Sequence, residues 1–497
     1  MRVTFVTSEV RPFSQTGGLA DVSAALPAAL AALGCDMTVI SPLYQSTAAA
    51  LAAAGLPLED LAAPPVRIAG VDQPVRARVT RRDGCRLAFI AHDGFYDRPG
   101  LYGAPGGADY ADHVARFGHL CAAALRLAGT QGWADIFHCN DWQTALLPVY
   151  LRAAGPPGAA PAAPSVFTVH NLAYQGHAAA ADLLTAGLDS SWFHPGALEY
   201  WGGVNLMKGG LVFADALTTV SPSYAAEIQT PAAGCGLDGV LRAQREKLRG
   251  ILNGIDVARW NPADDEYTAA PFSARDLTGK AHCKRALQER SGLPVAPRAF
   301  LLAVIGRFDW QKGLPLVCDA FRLLAPLGPQ LVILGSGDAG IEAQARALAA
   351  AFPAQVSLTV GFDEALAHQI EAGADAFLMP SAYEPCGLNQ MYSQRYGTVP
   401  VVHATGGLKD TVVDATAERL AAGTASGFRF DVFDSAHLGE ATLRAWRLYE
   451  AAPDAWRGLA TACMGLDHSW ARSARAYLDL YRELRYPAAA GPESRGA

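Results

Sequence analysis

The chain has 497 residues, 51% of them hydrophobic, and this length predicts two substantial domains with separate cores. It carries 40 Lys and Arg against 47 Asp and Glu, a formal net charge of −7, with no long basic run. The charge balance gives no support for a nucleic-acid or anionic-membrane partner.

Nine scattered cysteines include no C-x-x-C pair, which indicates reduced thiols rather than a disulfide framework or a zinc site. The apolar run after Met1 and Arg2 is short and soon meets Glu9 and Arg11, unlike a signal peptide. The longest uncharged stretch, residues 37–58, contains prolines and polar residues, which argues against a membrane span. We therefore expect a cytoplasmic protein.

Strand-like apolar runs alternate with helix-like segments along the chain. In the first half, strands are predicted at residues 3–7, 37–41, 136–139, 166–170 and 216–220, with helices at 19–33 and 110–127. In the second half, strands are predicted at 300–306, 331–335, 356–361, 376–380 and 399–403, with helices at 314–327, 341–351 and 469–484. This order implies parallel sheets wrapped by helices, with ligands at the carboxyl ends of the strands.

Turn formers in residues 250–256 predict a domain hinge there. Ala- and Pro-rich sequence predicts a surface loop at residues 153–164 and a disordered tail at 487–497.

Two glycine-containing segments, residues 14–21 and 383–390, each join an apolar strand to the start of a helix. Backbone N–H groups at such a turn can bind an anionic or polyhydroxylated ligand. Gly17 and Gly18 would let ligand oxygens approach the backbone, although such a turn can also be plain architecture. Two such sites on two domains predict a cleft.

Polar residues close two strands of the first half. Asp141 and Trp142 follow one strand, and His170 and Asn171 follow another, so they should share one edge of the sheet. Asp141 could instead serve only as a helix N-terminal carboxylate, and His170 as a structural imidazole. Trp142 could belong to the core rather than to a ligand site.

Charged residues follow two strands of the second half. Arg307 and Lys312 come after the strand at 300–306 and are either solvated surface cations or stabilisers of negative charge. Glu384 either caps the next helix or accepts hydrogen bonds from ligand hydroxyls.

Ten segments resemble, in order and spacing, those of bacterial glycogen synthases and plant starch synthases. They are SQTGGLADVSAALP, FYDRPGLYG, HCNDWQTALLPVYL, FTVHNLAYQG, LTTVSPSYAAEI, GCGLDGVLR, GILNGIDVARWNP, IGRFDWQKG, PSAYEPCGLNQ and YGTVPVVHATGGLKDTV. The resemblance implies an α/β protein with two Rossmann-like domains facing across a cleft, the GT-B type of glycosyltransferase fold. The domains would be residues 1–249, completed by a C-terminal helix at about 467–486, and residues 250–466.

The resemblance also implies a retaining hexosyltransferase that moves glucose from ADP-glucose to the nonreducing 4-hydroxyl of glycogen or another α-1,4-glucan. UDP-glucose as donor, or a short oligosaccharide as acceptor, is the alternative. Arg307 and Lys312 would stabilise the departing phosphate, Glu384 would contact the donor glucose, and the N–H groups of Gly387 and Leu388 would face the phosphate.

In the first domain, the resemblance makes Asp141 a sugar-binding or catalytic-support residue and places His170 near the anomeric carbon. Trp142 and Asn171 would meet substrate, and Glu9 would face the acceptor. The sequence departs from the family at Gln15. The family pattern at this point is Lys-Thr-Gly-Gly, and the resemblance places that lysine near the donor. A glucan-binding protein of reduced activity is therefore a further alternative.

No Asp-x-Asp triplet closes a strand, and no His, Cys and Asp cluster has metal-ligand spacing. We expect metal-independent chemistry without a cofactor.

Overall fold

The structure is a computed structural model that describes residues 1–104, 108–153 and 163–486. The predicted tail at 487–497, and most of the loop predicted at 153–164, lie outside the described residues. Within those ranges, every helix is too short or too polar to cross a membrane.

The chain divides into two compact units. The first comprises Met1–Gly254 and the residues from Trp470 onward, and the second comprises Ile255–Ser469. The two borders between the units, after Gly254 and after Ser469, thus lie a few residues later than the borders that the sequence predicted.

Among the described residues of the first unit there are twelve strands: β1 Arg2–Val6, β2 Asp36–Pro42, β3 Glu59–Ile68, β4 Val71–Arg82, β5 Cys85–Ala91, β6 Ile136–Asn140, β7 Ser165–Val169, β8 His177–Ala178, β9 Glu199–Tyr200, β10 Gly203–Asn205, β11 Ala216–Thr219 and β12 Leu248–Gly250. Nine of them form one sheet in the order β12-β11-β7-β6-β1-β2-β5-β4-β3, and β8-β10-β9 form a small second sheet.

The second unit has one six-stranded sheet in the order β15-β14-β13-β16-β17-β18. Its strands are β13 Leu301–Ile305, β14 Gln330–Gly335, β15 Val356–Val360, β16 Ala376–Met379, β17 Val399–His403 and β18 Phe428–Phe430. All neighbouring strands of this sheet are parallel. Leu302 and Val304 enter one hydrophobic core while Leu301 and Ala303 enter another, because both faces of the sheet are buried under helices.

The helices surround these sheets. They are α1 Leu19–Ala32, α2 Gln45–Ala54, α3 Asp93–Tyr96, α4 His113–Gln131, α5 Leu146–Arg152, α6 Asp182–Thr185, α7 Leu206–Phe213, α8 Pro222–Glu227, α9 Asp238–Ala243, α10 Thr278–Arg290, α11 Leu314–Leu324, α12 Ala339–Ala351, α13 Glu364–Gly373, α14 Asn389–Arg395, α15 Gly406–Thr411, α16 Ala417–Ala421, α17 Ser435–Ala451, α18 Pro453–Met464 and α19 Trp470–Arg485.

The predicted parallel sheet of the first unit has an antiparallel extension at one edge that the sequence analysis did not predict. There β3, β4 and β5 pair antiparallel, and only β5 continues the parallel sheet by pairing with β2. In β4, Val75, Ala77 and Val79 are buried while Arg76 and Arg78 face solvent. This alternation is typical of an antiparallel strand with one solvent-exposed face, and it differs from the continuous apolar runs that mark the strands of βα repeats.

The last helix, α19, belongs to the core of the first unit. Trp470, Ala474, Tyr477 and Tyr481 are buried in the same cluster as Phe5 of β1. The Tyr481 hydroxyl lies 2.6 Å from Nδ1 of His138, a buried residue of β6. The spacing of these four residues gives one apolar helical stripe that covers the sheet.

Candidate active site

A pocket of about 200 Å³ opens in the second unit where β13 and β16 end. The strand ends supply part of its wall, and the loops after them supply Arg307, Lys312, Glu384, Gly387 and Leu388. All five second-domain residues predicted from the sequence therefore line one pocket. Its place at the carboxyl edge of a parallel sheet is where ligands bind in such folds.

Lys312 and Glu384 form an ion pair in this pocket, with 2.6 Å between Nζ and Oε2. The Ser381 hydroxyl donates to the same carboxylate oxygen at 3.0 Å. Glu384 is buried, and it does not cap α14, whose N-cap residue Leu388 makes no side-chain cap bond. The capping role considered for Glu384 is therefore wrong, because its carboxylate is held by an ammonium and a hydroxyl.

A short turn positions Lys312. Residues Trp310–Lys312 form a 3₁₀ turn, and the Asp309 carboxylate accepts the Lys312 backbone N–H at 3.0 Å. Gly313 follows with φ 67°, and a Cβ on it would lie 2.1 Å from the Pro380 carbonyl oxygen. Only glycine allows this close approach of the turn to the end of β16, and the approach brings Lys312 beside Glu384.

Arg307 lies at the mouth of the pocket. Its side chain is 56% exposed, and its guanidinium lies 3.2 Å from the Asp309 carboxylate. Because this ion pair is largely solvated, the guanidinium can turn to an incoming anion at small energetic cost. Arg307 and Lys312 thus bring two cations to one small pocket.

The turn that carries Glu384 rests on a second pair of glycines at the start of α15. The Gly407 N–H donates to the Glu384 carbonyl at 3.0 Å. A Cβ on Gly406 would lie 2.0 Å from the Glu384 oxygen, and one on Gly407 would lie 2.1 Å from the Cys386 oxygen. We assigned Gly406 and Gly407 no function from the sequence, although their adjacency was a visible signal of close backbone contact.

In the first unit, the buried Glu9 carboxylate organises the glycine-containing loop. It accepts the backbone N–H of Thr16 at 2.5 Å and that of Gly17 at 3.3 Å. The Tyr102 hydroxyl donates to its other oxygen at 2.5 Å. Glu9 therefore holds the loop in shape and leaves Gly17 and Gly18 exposed. Our sequence analysis missed Tyr102, which lies 93 residues from Glu9.

Gln15 shares an acidic neighbour with an arginine. Its amide Nε2 lies 3.3 Å from Oδ2 of Asp21, and Nη1 of Arg11 lies 2.6 Å from Oδ1 of the same carboxylate. The side chain of Gln15 is exposed, so it faces solvent beside the exposed glycines. The neutral amide of Gln15 and the guanidinium of Arg11 thus contact the two oxygens of one carboxylate, that of Asp21.

Asp141 and His170 meet at the ends of β6 and β7. Oδ1 of Asp141 accepts the backbone N–H of His170 at 2.7 Å, so Asp141 does not cap the following turn with its side chain. Nε2 of His170 lies 2.9 Å from Oδ1 of Asn140, whose amide nitrogen donates to the Val6 carbonyl at 3.0 Å. This fixes Asn140 Oδ1 as the acceptor, so Nε2 of His170 carries the proton and Nδ1 keeps its lone pair.

Burial shifts the acidities of both groups. Desolvation raises the pKa of Asp141 to about 7, against the opposing effect of backbone hydrogen bonds from His170 and Asn171. Desolvation lowers the pKa of His170 to about 3, so its imidazole is neutral near pH 7. Asp141 also has a φ of 58°, a strained conformation that is enriched at functional sites. Together these features mark the pair as a candidate site.

Replacing Asp141 by asparagine is expected to make the free energy of unfolding less dependent on pH. The raised pKa means that native Asp141 contributes stability below pH 4 that is lost as the pH rises toward 7. Asparagine tolerates positive φ and still accepts the His170 N–H, but does not ionise. Between pH 5 and pH 8 the variant should gain about 2–3 kcal/mol over the native protein in urea unfolding. The exposed-site variant Asp60→Asn is the control, and equal pH dependence of native protein and Asp141→Asn would contradict the prediction.

Trp142 packs within the first unit. Its ring lies 5.1 Å from that of Phe117 and 5.7 Å from that of His113, and a Cβ on Gly176 would come within 2.4 Å of it. Asn171 accepts the backbone N–H of Ala173 at 3.1 Å. Both are partly exposed, so their proposed contact with substrate stays a prediction.

Comparison with known proteins shows the class to which this fold and site belong. A family described as "Starch synthase catalytic domain" matches residues 2–243, and one described as "Glycosyl transferases group 1" matches residues 288–446. The catalytic domain of starch synthase IV from Arabidopsis thaliana, solved with ADP and acarbose, superposes with a TM-score of 0.88. It is 34% identical and covers 97% of this chain and 99% of its own. The protein is therefore a glycosyltransferase with two Rossmann-like domains.

Full-length relatives narrow the class to a family. Glycogen synthase 1 of Methylococcus capsulatus is 47% identical over 97% of this chain and 96% of its own length. A glycogen synthase of Anaeromyxobacter sp. is 48% identical over 98% of this chain and 100% of its own. The chain belongs to the glycogen and starch synthase family, which confirms the family inferred from the ten sequence segments.

Proposed function

We propose that this protein transfers a glucosyl unit from ADP-glucose to the nonreducing 4-hydroxyl of an α-1,4-glucan, with retention at the anomeric carbon. The observation that carries the proposal is the Lys312–Glu384 ion pair, 2.6 Å long, in a pocket that Arg307 also lines. A related starch synthase domain was solved with ADP and acarbose, which supports an adenine nucleotide donor and a glucan-like acceptor here.

On this proposal, the second unit holds the donor. The departing diphosphate gains negative charge, and Arg307 and Lys312 are cations already in place to stabilise it. Glu384 has one oxygen committed to Lys312 and Ser381, and its other oxygen can accept hydrogen bonds from glucose hydroxyls. The N–H groups of Gly387 and Leu388 add donors for the phosphate.

The first unit presents the acceptor-side residues. The unprotonated Nδ1 of His170 can accept a sugar hydroxyl, and Asp141, Asn171 and Trp142 lie on the same or neighbouring turns. Glu9 affects the acceptor side only by holding the loop that contains Gly17 and Gly18, because its carboxylate accepts hydrogen bonds from the backbone of that loop.

Retention follows if the acceptor attacks on the face from which the diphosphate leaves. The anomeric carbon–oxygen bond to the diphosphate breaks, a new bond to the acceptor oxygen forms, and the hydroxyl proton passes to the departing phosphate oxygen. A covalent glucosyl intermediate on a protein side chain is the alternative.

Phe362 is a candidate adenine-stacking residue that our sequence analysis missed. It lies in the loop between β15 and α13, two residues after Val360, and is 90% exposed. The order β15-β14-β13 places the end of β15 two strand spacings, roughly 10 Å, from the end of β13 at the pocket. That span suits a nucleoside between its base and its phosphates.

The Phe362→Ala variant is expected to raise KM for ADP-glucose about tenfold with little change in kcat, because base stacking on an aromatic ring is lost. Phe362→Trp should restore the native KM. Steady-state kinetics at saturating glycogen measures both, and an unchanged KM in Phe362→Ala would remove this residue from the donor site.

We infer that the reaction needs no metal ion or other cofactor. Arg307 and Lys312 supply the positive charge that a divalent cation would otherwise bring to a diphosphate. Across the described ranges, no group of three or more His, Cys, Asp or Glu side chains is arranged to hold a metal ion. Activity that is lost with a chelator and restored by magnesium or manganese would refute this inference.

A radiolabelled transfer assay tests the whole proposal. Labelled ADP-glucose and UDP-glucose are each incubated with glycogen and with maltotriose, and label in the glucan is counted. Transfer from ADP-glucose to glycogen is expected. Preference for UDP-glucose or for maltotriose would favour the alternative donor or acceptor, and no transfer from either donor would refute the enzyme proposal.

Gln15 motivates a second candidate function, a glucan-binding protein of reduced activity. The Gln15→Lys variant distinguishes the two, because an added ammonium would lie beside the Asp21 carboxylate and the exposed glycines. If Arg11 already supplies the local charge, Gln15→Lys should change kcat less than about threefold. Native protein that binds glycogen without releasing ADP, together with a variant that releases it, would establish the second function.

We place the reaction in the cytoplasm. Within the described residues the cysteines form no disulfide, and eight of the nine are buried, as expected for a protein that folds with reduced thiols.

A further inference from the structure

Trp201 is the exposed tip of a rigid hairpin in the first unit. Strands β9 and β10 pair antiparallel with Gly203 opposite Tyr200, so Trp201 and Gly202 form a two-residue loop. Their φ values, 52° and 82°, are both positive. Hairpin loops of this geometry favour Asn-Gly, and a bulky tryptophan at positive φ is a strained outlier. The strain brings no burial in return, because Trp201 is 89% exposed.

The hairpin is held firmly by polar contacts beneath the tip. Oε1 of Glu199 accepts the Gly202 N–H at 2.9 Å, so this carboxylate is engaged in the turn. The buried Lys208 ammonium donates to the Pro195 carbonyl at 2.7 Å and to the Glu199 carbonyl. The indole is thus presented on a preorganised support, which lowers the entropy lost when a ligand stacks on it.

Aromatic rings connect this tip to β8, the strand that follows the candidate residues His170 and Asn171 along the chain. The Trp201 ring lies 6.4 Å from that of Tyr200, which lies 5.6 Å from that of His177 in β8. His177 follows the candidate residue Asn171 by six positions, and the exposed Tyr174 lies between them in sequence. A Cβ on Gly236 would lie 2.1 Å from the Tyr200 hydroxyl, so Tyr200 is lodged against that glycine. The three rings form a row that begins at His177 in β8 and ends at solvent with Trp201.

We propose that Trp201 is the stacking platform of an accessory subsite for a long α-glucan chain, away from the residues that meet the reacting hydroxyl. A pyranose ring presents an apolar C–H face that stacks on an indole, while its hydroxyls stay in water. The polar groups of the turn are engaged within the hairpin, which favours a neutral sugar over an ion. The subsite deepens the proposed function and rests on it for the identity of the glucan.

The experiment compares native protein with Trp201→Asn, because asparagine suits the positive φ of the loop and should preserve or raise Tm. KM for glycogen is expected to rise about tenfold. KM for ADP-glucose, KM for maltotriose and kcat should stay within twofold, because a short acceptor does not reach the subsite. Tyr486→Ala, which removes an exposed aromatic ring at the end of the described chain, is the matched control.

A second measurement separates this proposal from the catalytic one. Retardation of the protein in native gels containing glycogen reports binding without turnover. Weaker retardation of Trp201→Asn supports the subsite even in a preparation that transfers no glucose. Equal retardation and equal KM for glycogen in native protein and Trp201→Asn would overturn it.

Discussion

Replacing Lys312 or Arg307 by alanine is expected to lower kcat by roughly 10²–10³-fold, the usual scale for losing one electrostatic stabiliser of a transition state. Lys312 is the more firmly placed of the two, since Glu384 holds its ammonium at 2.6 Å and Gly313 brings its turn against β16. Lys312→Ala also leaves the buried Glu384 carboxylate without its cation, so we expect this variant to lose some stability as well.

The control for both variants is Arg346→Ala, which removes an exposed cation paired with Glu342 on α12. Steady-state kinetics with ADP-glucose and glycogen, together with thermal unfolding, measures the two effects separately. Near-native kcat in both Lys312→Ala and Arg307→Ala would show that the pocket is not where the diphosphate departs.

The Glu384→Gln variant is expected to lower kcat/KM by about 10²-fold, because hydrogen bonds to a charged group are worth roughly 1.5–3 kcal/mol each. Glutamine keeps the size of the side chain and can still accept the Ser381 hydroxyl, so the pocket should retain its shape. What it loses is the negative charge that holds Lys312 and that binds the donor glucose in the proposed mechanism.

Glu289→Gln is the matched control, since Glu289 is an exposed acid paired with Arg285 on α10. Turnover with ADP-glucose at saturating glycogen is the measurement. A Glu384→Gln enzyme with native kcat/KM and a lowered Tm would assign Glu384 to structure alone.

The sequence predicted the second unit well because its strands are continuous apolar runs. Residues such as 331–335 and 399–402 are buried on both faces of a parallel sheet, and a strand buried in this way is recognisable in the sequence as a continuous apolar run. Arg307, Lys312 and Glu384 could be placed in one pocket for the same reason, since each follows a predicted strand of that sheet.

The parts that the sequence did not reveal depend on contacts between distant residues. Tyr102 donates to Glu9 across 93 positions, and Gly407 donates to the carbonyl of Glu384 from the start of α15. No local pattern encodes either partner. The raised pKa of Asp141 likewise arises from desolvation in the folded protein, and desolvation cannot be predicted from the spacing of residues in the sequence.

The place of α19 in the core of the first unit has a consequence for how the chain is made. Trp470, Tyr477 and Tyr481 complete a core that begins with β1, yet they leave the ribosome only after every residue of the second unit has been synthesised. Until then the nascent first unit exposes the apolar surface that α19 will cover. Chaperone occupancy should therefore persist through nearly the whole of translation, and truncation before Trp470 should yield aggregating material.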